Sequence, residues 1–110
     1  MRGRAAAELL ALPVRLHGIE LGRPVEVLVD LNADRVVGFE ILCGDEARRF
    51  LPFAVVELRA GELAIDSALT LIDERDLGFY RRRSRRLRDL GLTEPCIDVS
   101  GQIYEALRAA

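Results

Sequence analysis

A chain of 110 residues with half its residues apolar fits one domain of ordinary size. A net charge of −2 is wrong for a dedicated nucleic-acid binder, and two cysteines are too few for a disulfide framework. All 16 basic residues are Arg, which with abundant Ala, Gly and Leu points to a GC-rich genome more than to a physical requirement.

Arg2 and Arg4 precede an apolar run, the outline of a signal peptide, but Glu8 interrupts it and no small-residue cleavage site follows. The run is also far short of the ~20 apolar residues that span a bilayer. The expectation for residues 1–13 is an arm or a short helix over 5–11, stopped by Pro13, in a cytoplasmic protein.

From Val14 the period changes. Val14-Arg15-Leu16 alternates into His17-Gly18, a turn, and residues 25–31 read as a strand. Val25, Val27, Val29 and Leu31 form its expected core face, with Glu26, Leu28 and Asp30 opposite. Pro24 has no N–H to donate and belongs at a strand start or an edge. Asn32-Ala33-Asp34 is a tight connection. Residues 35–43 form the next strand, with Val37, Phe39, Ile41 and Cys43 on one face. Gly38 thins the other face, as suits a sharp bend or a close backbone approach. Residues 48–51 return, Pro52 breaks the ladder, Arg59-Ala60-Gly61 turns the chain, and residues 62–65 and 69–72 complete the strand set. Short strands at regular spacing predict a small β-barrel or sandwich.

Three stretches, Val27-Leu28-Val29-Asp30, Arg35-Val36-Val37-Gly38-Phe39 and Leu51-Pro52-Phe53-Ala54-Val55-Val56, resemble the PRC-barrel family in their order. The resemblance covers residues 14–72, just over half the chain, and no single dipeptide in it is diagnostic. It implies a small barrel of five or six short antiparallel strands that docks partners and carries no catalytic centre. The family includes the cytoplasmic domain of a photosynthetic reaction-centre subunit and the C-terminal domain of a ribosome maturation factor. The membrane anchor of the one and the separate N-terminal domain of the other have no counterpart here, so neither role is implied.

Character changes at Asp73. Asp73-Glu74-Arg75-Asp76 suits a helix cap, and Tyr80, Leu87 and Leu90 then share a face at helical spacing. An Arg-rich helix over 73–91, closed by Gly91, is the expectation. Residues 92–110 read as a hairpin or a helix. Pro95-Cys96-Ile97-Asp98-Val99-Ser100-Gly101 matches Pro13-Val14-Arg15-Leu16-His17-Gly18 apart from one extra residue. That similarity fits a partial second repeat, or a hairpin that pairs with its own barrel or with a neighbouring chain in a homodimer.

No residues assemble into a catalytic arrangement. His17 sits beside a turn glycine with no nucleophile nearby, the carboxylates are scattered, and no Gly-rich phosphate loop occurs. No metal constellation and no cofactor motif stands out. What exceeds background is Arg81-Arg82-Arg83-Ser84-Arg85-Arg86-Leu87-Arg88, with six Arg and no acid, against ten Arg and 18 acids elsewhere. Such segregation fits docking of an acidic protein surface, binding of RNA phosphate, or pairing with the chain's own acidic body. The preferred reading is a non-catalytic adaptor with Arg81, Arg82, Arg85, Arg86 and Arg88 facing a protein partner. The alternative is an RNA- or ribosome-associated factor using the same residues.

Overall fold

The computed structural model describes residues 3–105. Its elements are β1 (Gly3–Ala5), α1 (Ala6–Leu10), β2 (Val14–Leu16), β3 (Ile19–Asp30), β4 (Val36–Cys43) and β5 (Arg48–Pro52), then β6 (Glu57–Leu58), β7 (Leu63–Ile65), α2 (Glu74–Arg82), β8 (Ser84–Arg86), β9 (Pro95–Asp98) and β10 (Ile103–Glu105). The protein is mainly β with two helices.

The larger sheet runs β5-β4-β3-β2-β7-β6, and β8 adds to β3 off that path. Six of its strands lie between residues 14 and 72, five of them where the turn spacing predicts; the sixth, β6, was not expected. They are not all antiparallel, because β2 and β7 pair in parallel. The outermost strands, β5 and β6, are joined by residues 53–56 alone. Laid flat, six strands would hold them about 24 Å apart at ~4.8 Å per spacing, whereas the connection reaches at most ~18 Å. The sheet must therefore curl. No ladder joins β6 to β5 among the described residues, so the curl stays open.

Turn chemistry sets the registers. His17 and Gly18 both take positive φ (49° and 84°), the two-residue hairpin geometry whose twist matches the strands it joins. After Asp30, its carboxylate accepts from the Asn32 N–H, and the Asp30 N–H donates to the Arg35 carbonyl, closing the β3–β4 loop.

The inner face is the expected one at its centre and not at its ends. Val27, Val29, Phe39, Ile41 and Cys43 are buried, while Val25 and Leu31 are 37% and 45% exposed. Val37 packs with Leu28 and Phe50 on the outer face, leaving Val36 to enter the main core. Register shifts at Pro24/Glu26 and Leu28/Val29 break the alternation on which the expectation rested. Pro24 thus lies beside a bulge inside a long strand, where its missing donor costs no ladder bond. Residues 69–72 form no strand: Ser67 caps a single 3₁₀ turn over Ala68–Thr70, and Ile72 makes one bridge, to Phe50.

The terminal segments form a second sheet, β1-β9-β10. The N-terminal helix is present as α1, and the strand preceding it was not legible. Residues 95–105 form a hairpin on their own chain, with Gly101 O accepting from Val36 N–H and Asp34 O from Ile103 N–H. The two similar Pro-to-Gly segments are each the first arm of a hairpin, but β2 and β9 pair with different partners. Expectations for residues 106–110 lie outside the described residues. One apolar cluster draws Ala6 and Leu9, the strands of the larger sheet, Leu87, Ile97 and Ile103 together, so all four segments share a core.

The Arg-rich helix is shorter than expected. It ends at Arg82, β8 follows, and Leu87–Leu90 form a 3₁₀ turn closed by Gly91 at φ 71°. A continuous helix would stack Arg81 on Arg85 and Arg82 on Arg86, like charges four apart. Ser84 Oγ instead donates to the Tyr80 carbonyl and the Arg83 guanidinium to the Phe79 carbonyl, which satisfies the last turn from outside the helix. The backbone then gains a ladder on β3, pairing Arg86 with Leu28, Arg85 with Val29 and Ser84 with Asp30.

Candidate functional site

The arginine segment is positioned by one glycine and two stacked rings. On the outer face of β4, a side chain at Gly38 would run into the Leu51 carbonyl and the Phe50 ring. Glycine lets Phe50 lie across the strand, and Tyr80 of α2 stacks on it with centroids 4.2 Å apart and planes 8° off parallel. Leu77 joins Phe50 and Leu28 in a small second core. Asp73 caps the helix by accepting from the Arg75 N–H, and Glu74 and Asp76 complement its N-terminal dipole.

This docking brings Arg81 onto Glu40, one of two buried carboxylates. Glu26 and Glu40 are directly opposite each other in the β3–β4 ladder and are 8% and 3% exposed. Arg81 makes two hydrogen bonds to Glu40, one from Nε to Oε2 at 3.2 Å, and Arg48 adds a third at 3.3 Å. Arg88 meets Glu26 from Nε at 3.2 Å. Three cations therefore clamp α2, β5 and the segment after β8 onto a pair of like charges.

The two carboxyls titrate in opposite directions. Burial pushes Glu40 upward, but the hydrogen bonds and charges of Arg81 and Arg48 together outweigh it and leave the group below its usual range. Burial also pushes Glu26 upward, and there the charges of Arg88 and Arg86 do not offset it, so Glu26 lies above its usual range.

The five arginines expected to face a partner thus divide. Arg81 and Arg88 are spent on the chain's own glutamates. Arg82, Arg85 and Arg86 are exposed and make no ion pair among the described residues. Arg83 lies 3.6 Å from the Phe79 ring centre, a cation–π contact. A groove of about 510 Å³ runs beside β8, lined by Leu28, Arg81, Ser84, Arg85, Arg86 and Asp89. Glu26, Glu40 and Arg48 were not singled out by sequence, although the outward alternation of both acids on facing strands carried the signal.

His17 sits in an exposed turn. Among the described residues, no three His, Cys, Asp or Glu side chains gather closely enough to hold a metal ion, and no helix is long and apolar enough to cross a membrane. The chain matches no protein-family model and no curated protein.

Proposed function

We propose that this protein is a non-catalytic protein–protein docking module of PRC-barrel type that presents Arg82, Arg85 and Arg86 to an acidic partner. The carrying observation is the division of labour among the arginines: three clamp the interior, and three stand exposed on an anchored face with no carboxylate in ion-pair range among the described residues, Arg86 acting on Glu26 only at longer range. The curled six-strand sheet, whose outermost strands are consecutive in the chain, supports the barrel resemblance. Exposed cations on a packed scaffold steer and orient a partner more than they supply affinity.

The same cations suit phosphate, so RNA binding is the second reading. Purification of tagged protein from its native cytosol, with and without nuclease and at two salt concentrations, separates the two. A stoichiometric protein partner that survives nuclease and is lost on charge reversal at Arg82 and Arg86 supports docking. Nuclease-sensitive material whose retention falls steeply with salt supports RNA and contradicts the docking module. Recovery of the protein alone, as a defined oligomer, makes self-association its role.

A further inference from the structure

β8 pairs with β3 along one side, and its other side carries no strand among the described residues. The remaining ends of the larger sheet are less open. β5 is bridged by Ile72 and flanked by α2, and β6 is two residues long. An open edge bearing Arg85 and Arg86 selects what can pair with it. Two copies joined antiparallel about Arg85 would set Arg85 against Arg85, a like-charge pair that disfavours association. Carboxylates on the incoming strand would instead meet both guanidinium groups.

We propose that the open edge of β8 and the groove beside it receive an acidic, extended segment of a partner protein by strand addition. The inference rests on the docking reading and names the chemistry of its partner. Backbone hydrogen bonds to β8 align the segment, and two adjacent carboxylates, one on each face of the incoming strand, reach Arg85 and Arg86, which point to opposite faces. Asp89 lines the same groove and repels a carboxylate placed beside it, so it limits where acids are accepted. Arg82 does not line the groove and contributes only to the surrounding field.

The test is fluorescence anisotropy with a labelled eight-residue peptide that carries an adjacent Glu-Glu pair between Val- and Thr-rich flanks. Comparison probes are its Lys analogue, a version interrupted by proline, and an oligouridylate of equal charge. The Glu peptide should bind, and R85E/R86E should weaken it roughly tenfold while R82E changes it little, since each exposed pair is modest. D89N should tighten it. The R85E/R86E protein should take up the Lys analogue, which also establishes that the variant is folded, and the proline peptide should lose affinity. Equal losses from R82E and R85E/R86E, or indifference to proline, would overturn strand addition in favour of a diffuse field effect. Preference for the oligouridylate would overturn both this inference and the docking reading. A native partner retained by R85E/R86E after nuclease treatment would leave docking standing and remove β8 as its site.

Discussion

Glu40 and Glu26 are chemically identical, directly opposite and almost equally buried, yet they influence folding with opposite sign. Glu40 titrates below its ordinary 4.5 in the folded protein, so its contribution is present above 4.5 and is lost as pH falls through the folded value. Glu26 titrates above 4.5, so its contribution is present below 4.5 and is lost as pH rises through the folded value. Glu40→Gln should therefore lower stability at pH 7 by about 1–3 kcal/mol, because it removes the charge that Arg81 and Arg48 share and puts an amide donor where one carboxylate oxygen accepts. Glu26→Gln should change it by less than about 1 kcal/mol, since the charge it removes is unfavourable at that pH. Urea melts at a series of pH values check both, and the deficit of Glu40→Gln should shrink as pH drops below 4.5. Gly38 is the second residue on which the site depends. Gly38→Ala must displace the Phe50 ring or the β5 backbone, and should cost about 1–3 kcal/mol in the same assay.

At the scale of elements, the departure from expectation lies at the end of α2. Tyr80, Leu87 and Leu90 do have helical spacing, but Leu87 reaches the main core from a 3₁₀ turn after β8. The spacing was correct and the element was not, because a side chain can reach the same core by more than one backbone route. Two features favoured the strand: the like-charge stacking that a longer helix would impose, and the ladder offered by Leu28–Asp30. The first was readable in the Arg run. The second depended on β3 outlasting β2, which no local pattern records. Cross-strand NOEs between residues 84–86 and 28–30, with extended rather than helical Cα shifts, are the expected NMR result. Helical shifts through Arg86 would restore the continuous helix. Most strands of 14–65 were legible because turn residues punctuate them; residues 19–24 and the two-residue β6 were not. One bulge in β3 at Val25 and one in β4 at Val37 misled the assignment of faces.

For the whole molecule, the charge segregation visible in the sequence proves to be two things at once. Part of it is internal: Arg48, Arg81 and Arg88 neutralise a glutamate pair that strand pairing forces together. The rest faces outward. Composition counts both alike, and only the fold distinguishes an arginine with a carboxylate beneath it from one without. The measurement that tests this division most directly is a charge-reversal panel scored for both melting temperature and recovery of the native partner. R81E should lower the melting temperature by several degrees, because it sets a third carboxylate beside Glu40. The combined R82E/R85E variant should melt near the parent and lose its partner. If that variant melts as low as R81E, or keeps its partner while folded, the division between clamping and partner-facing arginines is wrong.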